Sequence, residues 1–149
     1  MFESNRAAAA VATLGALAAS IAFAAPQAGA AVTSIHVESG QSFGSSADTR
    51  GTGCSYPVTV TTEPGREVFF IDQIGDDRAT ADYRQFHPAD VLADASGTAR
   101  TTWTPDRKGQ HKLVVVEVLS DDDFDAYSLH TPLTVGTGIT LGPACAVLP

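Results

Sequence analysis

The sequence predicts an all-β fold, a single antiparallel β-sandwich preceded by an export signal. Three observations carry this expectation. Beyond residue 30, no apolar stripe at a period of 3.6 residues runs long enough for a helix. Several segments alternate apolar and polar side chains instead, as in Cys54-Ser55-Tyr56-Pro57-Val58-Thr59-Val60-Thr61. Turn-forming residues recur about every 8 to 12 residues, the spacing of short strands in a sandwich.

The elements follow in chain order. Ala7 to Ala30 contains no charged residue and ends in Ala28-Gly29-Ala30, a small-x-small pattern that suits signal-peptidase cleavage after Ala30. The expected organisation is thus a signal over residues 1–30 and one domain over residues 31–149, secreted, extracellular and monomeric, with no membrane span once the signal is removed. Val32 to Glu38 reads as a first, weak strand, and Gln41 to Thr52 as a Gly/Ser loop. Cys54 to Thr62 is the clearest strand, and Pro57 points to an edge or bulged position within it. Glu63-Pro64-Gly65-Arg66 is a turn before Val68 to Asp72, a strand rich in Phe and Ile.

Gly75 to Ala89 is a looser segment with room for a short strand or helical turn. Asp94-Ala95-Ser96-Gly97 turns the chain into Thr98 to Thr104, and Asp106-Arg107-Lys108-Gly109 leads to His111 to Leu119. The run Leu113-Val114-Val115-Val116 is continuous and apolar, consistent with burial on both faces or with a central position in a sheet. Leu133 to Leu141 is the last strand. The repeated Gly-Thr-Gly at Gly51–Gly53 and Gly136–Gly138 reads as a bend before a strand each time.

Cys54 and Cys145 both follow the signal, and an even count in an oxidising compartment forms one disulfide. Closing a loop of about 90 residues removes about 4 to 5 kcal/mol of unfolded-chain entropy. The 149 residues carry 9 Lys or Arg and 17 Asp or Glu, a net charge of -8, with Arg107-Lys108 the only adjacent basic pair. That distribution excludes nucleic acid and anionic membranes as partners.

Val68-Phe69-Phe70-Ile71-Asp72, then Asp94 to Pro105 (DASGTARTTWTP) and Lys108 to Val118 (KGQHKLVVVEV), resemble the strand succession of bacterial immunoglobulin-like domains. In that family a VTFYD-type strand precedes a GTA-x-x-x-W-x-P strand and a G-x-H-x-L strand. The two segments around the cysteines, Gly51 to Val60 and Val135 to Pro149, look like small secreted actinobacterial members of the group. The resemblance implies an immunoglobulin-like sandwich of about seven strands, usually without catalysis, and is almost silent on function. Cys145 follows the last expected strand, so the staple is expected to fasten an end of the domain. A fainter likeness, through Pro88-Ala89-Asp90-Val91 and Ala93 to Ala99, is to secreted enediyne-carrying apoproteins and implies a small-molecule carrier.

The chemical motifs are incomplete. Gly40-Gln41-Ser42-Phe43-Gly44 matches G-x-S-x-G, and Asp121 to Asp125 and His130 follow in hydrolase order, but no helix pattern follows Gly44 to build a nucleophile elbow. No enzyme is expected. Asp121, Asp123 and Asp125 form the first half of a calcium loop, with Ala126 where Gly is needed and Pro132 where Glu is needed. Loops at one pole of a sandwich can pool carboxylates, so Asp76 and Asp77 could complete such a site. Calcium is the one candidate cofactor. His36, His87, His111 and His130 lack ligand spacing, and Gly136 to Gly142 is not a dinucleotide fingerprint.

Tyr56, Phe69, Phe70 and Trp103 lie on expected strands and belong to the core. Tyr83, Phe86, Phe124 and Tyr127 lie in expected loops, Gly75 to Ala89 and Ser120 to His130, and would mark a contact surface. The expected function is a secreted, non-catalytic module for a protein or cell-envelope partner. A small-molecule carrier and a calcium-stabilised extracellular module are the alternatives.

Overall fold

The period-two segments form strands in the computed structural model, which describes residues 32–39, 42–44, 48–142 and 144–148. The signal segment and its cleavage point after Ala30 lie outside the described residues. The strands are β1 (Ser34–Val37), β2 (Ser42–Gly44), β3 (Thr49–Gly51), β4 (Tyr56–Thr61), β5 (Glu67–Ile74), β6 (Phe86–His87), β7 (Asp90–Leu92), β8 (Thr98–Trp103), β9 (Gly109–Ser120), β10 (Asp123–Ser128), β11 (Leu133–Leu141) and β12 (Ala144–Leu148). One 3₁₀ turn, Arg78–Thr80, interrupts the connection from β5 to β6.

The smaller sheet has the order β1-β4-β8-β6 and the larger the order β2-β12-β11-β9-β5-β7, with β10 also on β9 and β3 on β11. Taking β1, β4, β5, β6, β8, β9 and β11 as the principal strands, the smaller sheet uses the first, second, fifth and fourth. The larger uses the third, sixth and seventh as neighbours. That ABED and CFG arrangement defines an immunoglobulin-like sandwich. Pairing is antiparallel except β3 on β11 and β2 on β12, which are parallel. The remaining segments are short additions at the sheet edges, strand β10 beside β9, and β12, which extends the last hairpin.

Alternation decides what each sheet buries. Tyr56, Val58 and Val60 of β4 point inward with Ala99 and Trp103 of β8, and meet Val68 and Phe70 of β5 and Leu113 and Val115 of β9. Tyr56 and Trp103 are fully buried, their ring centroids 5.8 Å apart, and Phe70 stacks on Phe86 at 5.4 Å. Burying one such aromatic contributes about 3 kcal/mol at most, so four of them form the larger part of this core.

Four readings of the sequence need correction. Pro57 lies on an interior strand, not an edge: β4 is paired on both sides, and Pro57 precedes the stretch registered with β1. Gly136–Gly138 lies inside β11. A Cβ at Gly138 would come within 2.7 Å of Cys54 Sγ, so these glycines allow the chains around the disulfide to approach closely. Cys145 sits on β12, beyond the expected end of the chain's strands, because Ala144–Leu148 turns back and pairs with β11. Phe86 is 1% exposed, a core residue rather than a contact residue, because its segment pairs with Trp103 on β8.

The turn at Asp94–Gly97 is as expected, and its chemistry is explicit. Asp94 Oδ1 accepts from the Ser96 amide at 2.8 Å and the Thr98 amide at 3.0 Å, and also from the Ser96 hydroxyl. These bonds, the Ser96 hydroxyl first, hold the Asp94 carboxyl down at about 2. The ionised form is the one the turn binds, so its contribution is full above the unfolded carboxylate range and lost as pH falls through about 2. Carbon-detected NMR titration should give an Asp94 midpoint near 2; a midpoint at the ordinary value of about 3.9 would show that the turn is open in solution.

Candidate functional site

The outer face of the larger sheet is unusual for a two-layer fold. In β9 the inward residues are His111, Leu113, Val115 and Glu117, so Lys112, Val114, Val116 and Val118 point to the outside. Register then assembles rows across three or four strands. Leu92, Glu67, Val118 and Phe124 form one row, Asp90, Phe69, Val116 and Ala126 the next, and Ile71, Val114 and Ser128 a third. Eight of these eleven side chains are apolar. Leu92 is 67% exposed, Phe124 65% and Phe69 39%, while Ile71 and the three valines are half-buried. No described element covers this face.

Phe69 is therefore not a core residue: Phe70 beside it takes the inward place, and period-two alternation sends Phe69 out. At one end the face dips into a groove of about 620 Å3 between the 3₁₀ turn and β10, lined by residues that include Ile71, Arg78, Lys112, Val114 and Tyr127. The two segments expected to carry a contact surface do meet there, with Asp76 to Ala81 on one wall and Ala126 to Ser128 on the other.

The four aromatic candidates separate. Phe124 stands on the outer face, and Tyr127 turns to the inner side of β10, where its hydroxyl donates to Asp125 at 3.2 Å. Burial, and then that carboxylate, push the Tyr127 phenol up from its ordinary range. Tyr83 is 64% exposed beyond the 3₁₀ turn and lines neither groove described here. Phe86 is inside, as noted.

Asp121, Asp123 and Asp125 do not share one loop. Ser120 to His130 contains a strand, not a loop, so Asp123 and Asp125 lie two residues apart on β10 while Asp121 stays in the preceding turn. Asp76 pairs with Lys112 at 3.3 Å, eight residues along β9 from Ser120, which is the neighbour of Asp123. At about 3.3 Å per residue the two acidic groups are about 25 Å apart. Among the described residues no group of three or more His, Cys, Asp or Glu side chains could hold a metal ion. Ser42 begins strand β2, registered with Cys145 on β12.

A second groove, of about 470 Å3, opens on the inner side of β10. It is lined by Val32 to Ile35 from the start of β1 and by Ala126 to Thr131. Among the described residues, strand β1 is the edge of the smaller sheet and β10 pairs with β9 alone, so these strands leave the sandwich open along the seam between them. In register on the inner side of the sheet are Asp125 of β10 and Glu117 of β9. Glu117 is 1% exposed: one oxygen accepts from the Thr62 hydroxyl and lies 3.9 Å from Arg66 Nε, and the other, Oε2, has no hydrogen-bond partner among the described residues.

The sequence hid most of this site. The apolar run in β9 signalled a strand with two apolar faces, and pairing it with the Phe69-Phe70 doublet could have exposed an uncovered outer face. Nothing local marks Glu117 as buried or Asp123–Ser128 as an edge strand.

No family model matches the chain, and no curated protein matches it. Solved structures similar in fold include the C-terminal 282-residue fragment of intimin, in complex with the intimin-binding domain of the translocated intimin receptor. It is 18% identical over 72% of this chain, with a TM-score of 0.47, and the match spans 34% of that fragment. PapD-like domain 7 of human CEP192 is 15% identical over 71% of this chain and 86% of its own, with a TM-score of 0.35. The C. elegans MSP family member WR4 is 12% identical over 77% of this chain and 97% of its own, with a TM-score of 0.31.

Proposed function

We propose that this chain is a secreted, non-catalytic immunoglobulin-like module that docks a protein or cell-envelope component on the outer face of its larger sheet. The observation that carries the reading is the row structure of that face, with Phe69, Leu92 and Phe124 exposed over Ile71, Val114, Val116 and Val118. Contiguous apolar surface of this kind is costly to leave in water and marks interaction sites in soluble proteins. The charge-free segment ending at Ala30 and the single disulfide support an extracellular setting, the one the small secreted actinobacterial type would occupy. No helix among the described residues is long and apolar enough to cross a membrane.

The test is capture on envelope fractions of the host with the parent protein and a Phe69→Ser/Phe124→Ser variant. Both side chains are already exposed, so the variant should melt within a few degrees of the parent. Capture should fall at least tenfold. Equal capture by the two proteins would discard the outer face as the docking surface, and recovery of the chain in the cell with residues 1–30 still attached would discard secretion.

A further inference from the structure

The edge of strand β10 carries a more specific assignment, which rests on the binding-module reading. We infer that β10 accepts an extended segment of a protein partner as an added strand, and that this segment carries a lysine or arginine opposite Asp125. Three features meet at this edge. Among the described residues, strand β10 has β9 on one side and no hydrogen-bonded neighbour on the other, so its outer amides and carbonyls are available to another chain. The groove between β10 and β1 lies where alternate side chains of an added strand would point. The buried Oε2 of Glu117, without a partner, stands one strand further in, in the same row as Asp125.

The side-chain chemistry of the segment follows from the rows. Opposite Asp125, on the inner side, a cation would pair with that carboxylate and reach toward Glu117. Two residues along, opposite Tyr127, an apolar side chain would enter the groove beside Val32, Ile35 and Leu129. On the outer side, residues opposite Phe124 and Ala126 would extend the apolar face. Asp121, Asp122, Asp123 and Asp125 form no ion pair with any described cation.

Charge also selects among occupants. Pairing β10 with the β10 of a second copy would bring two sets of these aspartates into one seam, a like-charge contact that strand pairing disfavours. Residues 1–30 carry one basic residue, Arg6, offset by Glu3, and so bring no net side-chain charge to complement these aspartates. A basic, β-prone segment from another protein fits both the open edge and its charge.

The probe is a fluorescein-labelled peptide, acetyl-Lys-Val-Lys-Val-Leu-Val-Thr-Lys-amide, with a twin in which Glu replaces every Lys. Fluorescence anisotropy should show the parent binding the basic peptide at least tenfold more tightly than the acidic one. Asp125→Lys should weaken the basic peptide at least tenfold and strengthen the acidic one. Asp106→Lys makes the same charge change in the exposed β8–β9 turn and should alter neither by more than twofold.

With the basic peptide bound, amide exchange should slow at alternating residues of 123–128. Equal losses in the two variants would reduce the effect to general electrostatics and overturn the assignment. Protection that appears outside β10, or no binding by the parent, would overturn it as well. The Phe69→Ser variant separates this proposal from the broader one. Lost envelope capture with peptide binding intact leaves strand addition standing, whereas intact capture without peptide binding discards the edge alone.

Discussion

Reduction of the Cys54–Cys145 disulfide is expected to lower the melting temperature of the domain by about 15 °C. The bond joins residues 91 apart, from the entry to β4 in the smaller sheet to β12 in the larger, with Cα atoms 5.8 Å apart. A loop of that length removes about 4 to 5 kcal/mol of conformational entropy from the unfolded chain. Divided by an unfolding entropy of about 2.1 cal/mol/K per residue for a domain of this size, 4 kcal/mol corresponds to the stated shift. The native state has little freedom to relax the loss. Both cysteines are buried, and Gly51 and Gly138 bring backbone so close that a Cβ at either would lie 2.7 Å from Cys54 Sγ. Calorimetry with and without reductant checks this, with mass spectrometry to confirm two added hydrogens. A melting point unchanged to within two or three degrees would show that packing alone closes this end of the sandwich.

The disulfide was legible from the even cysteine count, and five of the strands from local patterns of apolar and turn residues. Tyr56–Thr61, Glu67–Ile74, Thr98–Trp103 and Gly109–Ser120 have boundaries within about two residues of the expected ones, and Leu133–Leu141 coincides with them. What stayed hidden depends on pairing. Asp123–Ser128 has four acids or hydroxyls in six residues and reads as a solvated loop. It becomes a strand because β9 is long enough to offer it a template beyond the end of β11. Phe69 and Phe86 exchanged their expected places for the same kind of reason. Alternation puts one of two adjacent phenylalanines outside, and the two-residue pairing of β6 with β8 pulls a loop aromatic inside.

Little of the candidate site was legible. Phe124 and the meeting of the 75–81 and 126–128 segments were expected. The open seam was not, because it needs the relative position of two strand edges, β1 and β10, that belong to different sheets. No residue pattern in either strand encodes that separation.

Replacing Asp72 alone with Leu is expected to cost about 4 kcal/mol, while replacing Asp72 and His111 together, with Leu and Phe, should cost far less than the two single changes combined. Asp72 is 3% exposed and His111 1%. His111 Nδ1 lies 2.8 Å and 2.9 Å from the two Asp72 oxygens, and Trp103 Nε1 donates to Asp72 Oδ2 at 3.0 Å. On its other side His111 Nε2 sits 2.9 Å from the Arg107 carbonyl oxygen. The network ties β5, β8 and β9 together in the core, and the Asp72 backbone exchanges two 2.8 Å hydrogen bonds with Asp82 at the root of the 75–85 segment.

Removing one partner leaves the other buried without its counterpart, a loss of about 3 to 5 kcal/mol, whereas removing both leaves neither an Asp72 carboxylate nor a His111 imidazole buried alone. Trp103 moderates the recovery, since its indole N–H loses its acceptor in the double variant and costs about 1 to 3 kcal/mol. Denaturant unfolding of the parent, both singles and the double closes the thermodynamic cycle. A coupling of about 2 kcal/mol or more marks Asp72 and His111 as one polar unit inside the sandwich. Strictly additive losses would mean that each side chain acts through packing alone.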